Sequence, residues 1–264
     1  MSNRASSGAT QIDVDLGLAG RVVLVTGGVR GVGAGISAVL ASLGATPVVC
    51  ARNAVDTPYE FHRCDVRDTD SVSAMIDAVA ERHGRLDGVV NNAGGSPFAL
   101  AADASDRFSS KIFDLNLLAP LIVARAANAV MQQQDSGGAI VNISSVSGHR
   151  PSPGTAAYGA AKAGLDNLTA SLAIEWAPKV RLNSVVSGPV ETELSHLHYG
   201  DEAGIAAVGA TIPLGRLASP VDIGNASAFL LSPLAAYISG STLTVHGGGE
   251  KPAFLDAATI DNKI

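Results

Sequence analysis

The chain has 264 residues, 47% of them hydrophobic and 16% charged, enough apolar surface for the core of one α/β domain or two small ones. A net charge of −6 with no basic block argues against nucleic acid and anionic membrane as partners, and no apolar run approaches the length of a membrane span. Cys50 and Cys64, the two cysteines, lack metal-ligand spacing, sit in strand-like segments and read as core thiols of a cytosolic protein, so no metal is expected.

Residues 1–17 read as a flexible polar tail without the apolar centre of a signal peptide, and residues 18–264 as a single domain. Val22-Val23-Leu24-Val25 is a short apolar run, the mark of a strand buried on both faces. It enters Thr26-Gly27-Gly28-Val29-Arg30-Gly31-Val32-Gly33, and a helical pattern follows through Ile36, Val39, Leu40 and Leu43 to a stop at Gly44. Strand, glycine turn and helix form the context of a dinucleotide site, although the spacing is GxxxGxG rather than GxGxxG. The glycines let the backbone approach a pyrophosphate closely, and the helix start offers free N–H groups. Gly27, Arg30, Gly31, Val32 and Gly33 are the candidate contacts in this turn.

A second strand, Pro47 to Ala51, runs out at Arg52. A carboxylate there would bond an adenosine ribose 2′-hydroxyl, whereas an arginine suits a 2′-phosphate. The acid is missing, Arg52 is present and Arg30 adds a second charge. That favours NADP(H), with NAD(H) possible; the alternative is that Arg52 is a solvated surface charge. A third strand from Phe61 ends at Asp65-Val66, where Asp65 either accepts from an adenine amino group or caps the helix near Asp68 to His83. A fourth, Leu86 to Val90, leads into Asn91-Asn92-Ala93-Gly94, small and hydrogen-bonding, fit to lie beneath a cofactor.

Ala139 to Ile143 reads as another buried strand, followed by Ser144 and Ser145. Tyr158 comes thirteen residues after Ser145, and Lys162 four after Tyr158, among Ala156, Ala157, Ala160, Ala161 and Ala163. Alanine favours helix, and residues i and i+4 then share one face. A free tyrosine titrates near pH 10, and a neighbouring ammonium lowers that toward the range useful for proton transfer. Lys162 is therefore expected to lower the Tyr158 pKa. Strands alternating with helical patterns predict an α/β fold: a doubly wound parallel sheet of about seven strands with helices on both faces. Thr26, Arg52, Asp65, Asn92 and Ser145 all fall at strand carboxyl ends, where such sheets bind ligands.

In this order and spacing, TGGVRGVG, CDV, NNAG, Asn116 in DLNLLAP, VNISSVSG and YGAAK resemble the single-domain branch of the short-chain dehydrogenase/reductase family, from about Leu18 to Gly249. The resemblance implies a Rossmann fold in three α/β/α layers and a role for each matching residue. Tyr158 is then the proton donor to a carbonyl or the base toward an alcohol. Lys162 bonds the nicotinamide ribose and lowers the Tyr158 pKa. Ser145, rather than Ser144, polarises the substrate oxygen, and Asn116 supports a water that relays protons to Lys162. Asp65, Val66, Asn92, Ala93, Gly94, Val190 and Thr192 join the cofactor contacts.

Three places depart from the family pattern: Ser187 replaces a proline before Gly188, the turn Trp176 to Asn183 is one residue short, and His246 replaces an aspartate. In relatives the stretch at about 191–213 covers the substrate. Here it holds His196, His198 and Tyr199, and Gly200, Gly204 and Gly209 agree with mobility. The two histidines, at i and i+2, do not share a helix face and so do not suggest a metal. The last residues, with Phe254, Leu255 and Ile260, dock on a neighbouring subunit or fray. The implied protein is an NADP(H)-dependent carbonyl reductase or secondary-alcohol dehydrogenase acting on a small molecule. Its implied assembly is a homotetramer built as a dimer of dimers through the helices at 107–134 and 156–177. An NAD-dependent alcohol dehydrogenase and a non-catalytic nucleotide-binding protein are the rivals.

Overall fold

The computed structural model describes residues 15–257 and Thr259, so the expected amino-terminal tail lies almost wholly outside the described residues, as does Ile260. Seven strands pair in parallel: β1 (Val22–Thr26), β2 (Thr46–Ala51), β3 (Glu60–Arg63), β4 (Gly88–Asn91), β5 (Gly138–Ser145), β6 (Val180–Ser187) and β7 (Thr242–Val245). Their order is β3-β2-β1-β4-β5-β6-β7. Every residue of β1 is buried, which is why the strand reads as an unbroken apolar run rather than an alternating one.

Alternation appears instead in where the side chains go. Val22 and Leu24 join one core with residues of α2 (Thr69–His83), α4 (Ala119–Met131) and α5 (Ala156–Glu175). Val23 and Val25 join a second core with α1 (Gly31–Ser42) and α8 (Pro220–Leu231). Helices thus cover both faces, giving the expected three-layer doubly wound sheet. The chain winds outward from β1 to β3, then returns to lay β4 against β1. The connections leave in opposite directions there, and a crevice opens beyond the carboxyl ends of β1 and β4.

Two details of the helices correct the sequence reading. The carboxylate of Asp68, not Asp65, caps α2: it accepts from the N–H groups of Asp70 and Ser71, both at 3.0 Å. Cys64 lies one residue beyond β3; it and Cys50 are both buried and unbridged. The second correction concerns the continuous helical stretch Asp106–Met131, 26 residues long and apolar enough by length and composition to cross a membrane. No run was expected to approach that length. Its buried residues include Ile112, Asn116, Ala119, Val123, Ala127 and Met131, three or four apart, with Pro120 and Ala124 widening the stripe of a helix laid against other structure.

That stretch comprises α3 (Asp106–Phe113), a π-helical turn over Asp114–Leu118, and α4. Asn116 sits mid-turn with no exposure. The substrate-lid stretch forms two short helices, α6 (His196–Tyr199) and α7 (Glu202–Ala210), the second capped by the Asp201 carboxylate on Gly204 N at 3.0 Å. A last short helix, α9 (Ala253–Ala257), leaves Phe254 exposed.

Candidate active site

The crevice between β1 and β4 is built by one hydroxyl and one amide. The Thr26 hydroxyl at the end of β1 accepts from the N–H groups of Asn92 and Ala93, both at 3.0 Å. The Asn92 side chain donates back to the carbonyls of Thr26 (3.0 Å) and Gly27 (3.3 Å). These bonds clamp the Gly27–Arg30 turn over the end of β4. Gly27 and Gly31 have φ of 64° and 51°, the left-handed region that glycine tolerates best. A Cβ on Gly33 would overlap the Gly27 carbonyl oxygen, so the turn closes only with glycine there.

Arg30 precedes α1 in extended conformation, makes no side-chain cap bond and leaves no acidic residue in the first turn. The free N–H groups of the α1 start and the positive end of its dipole have no anion within the helix itself, although Glu193 Oε1 stands 3.8 Å from where a Gly31 Cβ would be. Thr192 packs beside this turn, its methyl 3.6 Å from where a Gly31 Cβ would stand. Val190, just before it, bridges in parallel to Ala218. A pyrophosphate with a nucleoside on each side fits this donor set, and Arg30 is exposed at its edge.

At the adenosine end, Ala51 closes β2 and Arg52 is exposed. The Arg63 guanidinium donates to the Arg52 carbonyl at 3.1 Å. Arg67 grips Asp65 with two bonds, 2.9 and 2.6 Å, and holds that carboxyl below its ordinary range. Val66 beside it is buried. Arg63 and Arg67 escaped the sequence reading. Their signal was two further basic residues flanking Asp65, each within two positions.

Ser145 ends β5, and its hydroxyl accepts from Ser147 N at 3.2 Å. Tyr158 and Lys162 face it from the first turns of α5. Lys162 is only 3% exposed; its Nζ donates to the Ile143 carbonyl at 2.7 Å and lies 5.6 Å from the centroid of the Tyr158 ring. Burial pushes the Lys162 pKa down to about 8, against the opposing pull of Asp166. Tyr158 moves the other way. Burial raises its pKa above the ordinary phenol value, a hydrogen bond with Ser145 offsets part of that, and Tyr199 from α6 adds to the rise. The expected lowering of the Tyr158 pKa is therefore corrected: burial sets the direction, and the opposing pull comes from Ser145 rather than from Lys162.

Asn116 holds the loop after β4. Its amide donates to the carbonyls of Gly95 (3.0 Å) and Ile112 (2.9 Å), and its oxygen accepts from Gly95 N at 2.8 Å. A methyl group on Gly94 would stand 2.7 Å from Asn116 Oδ1 and 3.5 Å from Lys162 Nζ. So Gly94, Asn116 and Lys162 meet at one point. Ser187, the residue in the proline's place, donates its hydroxyl to the Ser144 carbonyl at 3.3 Å and ties β6 to β5. His246 stands apart, lining a cavity of about 90 Å³ with Pro189, Ile212 and Asp222. A larger cavity of about 610 Å³ lies between α2 and α4, lined by Asp77, Arg85 and Gln134, and includes none of the candidate site residues. Sequence reading placed Tyr199 in the lid without assigning it a part in the Tyr158 environment, and it missed Asp166, whose trace was a carboxylate four residues after Lys162.

A family model described as enoyl-(acyl carrier protein) reductase matches residues 27–250. The chain is 36% identical over 250 residues to the D-threitol dehydrogenase of Mycolicibacterium smegmatis, covering 90% of this chain and 95% of the relative. It is 35% identical over 243 residues to the 3-oxoacyl-[acyl-carrier-protein] reductase FabG of Vibrio cholerae, covering 88% and 98%. A short-chain type dehydrogenase/reductase of Sinorhizobium fredii is 35% identical, and there the chain spans 43% of a longer relative. Among solved structures, the ligand-free aldohexose dehydrogenase of Thermoplasma acidophilum superposes with a TM-score of 0.85 at 29% identity, covering 94% of this chain and 98% of that one. ElxO with NADP bound gives 0.80 at 28% identity, with 87% and 98% covered.

Proposed function

The chain belongs to the short-chain dehydrogenase/reductase family, and from that premise we propose that it is an NADP(H)-dependent oxidoreductase interconverting a small-molecule carbonyl and a secondary alcohol. The observation that carries the reading is the meeting of Ser145, at the end of β5, with Tyr158 and Lys162 on one face of α5. When bound, the nicotinamide supplies or takes the hydride. Gly27, Gly31, Val32, Gly33 and Thr192 would hold the pyrophosphate. Asn92, Ala93, Gly94 and Val190 would line the nicotinamide side, and Asp65 and Val66 the adenine side. Arg30 and Arg52 would take a 2′-phosphate.

The chain's own residues handle the proton. Ser145 offers a hydroxyl that holds the substrate oxygen, and Tyr158 gives or takes the proton at that oxygen. A phenol raised above its ordinary pKa stands protonated near neutrality, the state required to donate in the reduction of a carbonyl. Lys162, stripped of water and held on Ile143, places a cation beside the ring. Asn116 keeps the Gly94–Gly95 backbone against Lys162 and is the candidate for steering the proton supply behind it.

Residues 18–264 act as one catalytic domain in this reading, with the stretch at 191–213 as its lid. The reading further makes the enzyme a cytoplasmic homotetramer. Two buried, unbridged thiols agree with a reducing compartment. Turnover of NADPH and NADH on a carbonyl panel, with Tyr158→Phe in parallel, tests the proposal. Absence of turnover with either cofactor, or near wild-type rates in Tyr158→Phe, would overturn it.

A further inference from the structure

One turn beyond Lys162 on α5, Asp166 turns its carboxylate inward, toward the end of β5, with 10% of the side chain exposed. Its Oδ2 accepts from the Ser144 hydroxyl at 2.8 Å and pairs with His149 Nε2 at 2.9 Å. Its Oδ1 is buried without a hydrogen-bond partner. Burying a carboxylate with one oxygen unmatched costs free energy that an aspartate pointing to solvent would avoid. The surroundings supply a reason for the cost. Lys162 and Asp166 stand at i and i+4, so both project toward β5. There they engage consecutive residues: Lys162 Nζ bonds the Ile143 carbonyl, and Asp166 bonds the Ser144 side chain. The next residue is Ser145. Burial disfavours the charged form of Lys162, and the Asp166 charge opposes that.

We infer that Asp166 is a positioning residue: it is the counter-ion of the Lys162 ammonium, and through Ser144 it anchors the strand end that presents Ser145. The effect on turnover rests on the reading of Tyr158 and Lys162 as the proton-transfer pair; the effect on Lys162 itself does not. The carboxylate pairs directly with His149, from the turn after β5, and acts through space on Lys162, one turn back on α5, whose Nζ is held on the Ile143 carbonyl. The other charged groups on neighbouring elements are directed elsewhere. Arg107 and Lys111 on α3 are exposed, Asp114 in the π-helical turn acts on Arg67, and Arg181 on β6 bonds the carbonyls of Leu230 and Ile238.

Isotope-labelled lysine NMR on the full chain follows each Nζ against pH, and the resonance missing in Lys162→Arg identifies Lys162. Asp166→Asn, nearly isosteric, is expected to lower the Lys162 midpoint by about one unit or more. Asp166→Glu should restore most of that shift. The alkaline limb of the kcat profile should move down with the midpoint, a response that a purely structural role for Asp166 does not produce. In the wild type, the Asp166 carboxyl-carbon resonance should inflect at the Lys162 midpoint, a measurement that needs no variant to fold. An unchanged midpoint in folded Asp166→Asn, or a wild-type carboxyl resonance with no inflection there, overturns the inference. A lowered midpoint in a protein that turns over no carbonyl supports the counter-ion role and overturns the catalytic reading instead.

Discussion

Tyr158 and Lys162 are pushed in opposite directions by the same burial, and each shift has a measurable consequence. The phenol, held protonated, is the transferable proton of the proposed reduction. Tyr158→Phe removes that proton and little volume, so turnover should fall by about 10²–10⁴-fold with NADPH still binding, checked by steady-state rates beside calorimetry. Lys162 titrates at about 8 in the fold against an ordinary 10.5. Between those values the unfolded chain keeps a proton that the native chain has released, so this group's contribution to stability rises with pH. Below about pH 8 the fold bears the full cost of the buried charge, on the order of 3 kcal/mol. Urea unfolding of wild type and Lys162→Met from pH 7 to pH 10 should therefore show the wild type gaining on the variant as pH rises. A constant difference counts against the buried ammonium. Arg52 makes the third prediction at this scale. A charge-assisted hydrogen bond to a 2′-phosphate contributes about 1.5–3 kcal/mol, so Arg52→Ala should weaken NADPH binding about tenfold or more and leave NADH nearly unchanged. Calorimetric titration of both cofactors decides it, and equal wild-type affinities would hand the site to NAD(H).

At the level of elements, the start of α8 shows how a local motif fixes a helix end. Ser219 and Asp222 form a reciprocal cap, with Asp222 Oδ2 accepting from Ser219 N at 2.7 Å and Ser219 Oγ accepting from Asp222 N at 3.3 Å. Arg216 adds two bonds to the Asp222 carboxylate, at 2.7 and 3.1 Å, and these hold it well below the usual carboxylate range. A depressed carboxyl stabilises the fold above its unfolded pKa, near 4, and loses that contribution as pH falls through the folded value. Asp222→Asn should thus lower stability by about 1 kcal/mol at pH 7, the pair being largely solvated. The gap in melting temperature should narrow as pH falls below about 4, and a gap constant with pH would mean the charge is idle. Elements of this kind differ in how far the sequence exposes them. The strands were readable because a doubly covered parallel sheet demands continuous runs such as Val22 to Val25. The shared face of Tyr158 and Lys162 followed from a spacing of four. The cap of α2 did not follow, because Asp65 and Asp68 both precede the helix and only the backbone path selects Asp68. The widened turn at Asn116 depends on a partner, Gly95, twenty-one positions away. The upward shift at Tyr158 comes first from its burial, with Tyr199 of α6 adding to it, and no local pattern carries either.

For the whole molecule, the outward side of α5 is the surface left to explain. Ala160, Ala163, Asn167, Ala170 and Ile174 are exposed along it at intervals of three and four, so they form one stripe. Ile174 at its end is 82% exposed, and Leu118, at the close of the π-helical turn, is 46% exposed. Small side chains let a second helix approach closely, and an apolar end gives that approach a hydrophobic contribution. The inner side of α5 is committed to the sheet through buried Leu165, Leu172 and Ala173, and the alanines facing outward are left exposed in one chain. A two-fold axis across this stripe would set α5 against α5, with the same surface on both partners. The proposed homotetramer repeats such pairing about a second axis, and its mass by light scattering should be four times the 26.6 kDa of one chain. Ile174→Arg places a charged, bulky side chain on the stripe at a position that touches no candidate site residue. It should reduce the mass to that of a dimer or a single chain while the circular dichroism stays native. A wild-type mass of 26.6 kDa at micromolar concentration, or a tetramer unaffected by Ile174→Arg, would place the assembly surface elsewhere or remove it.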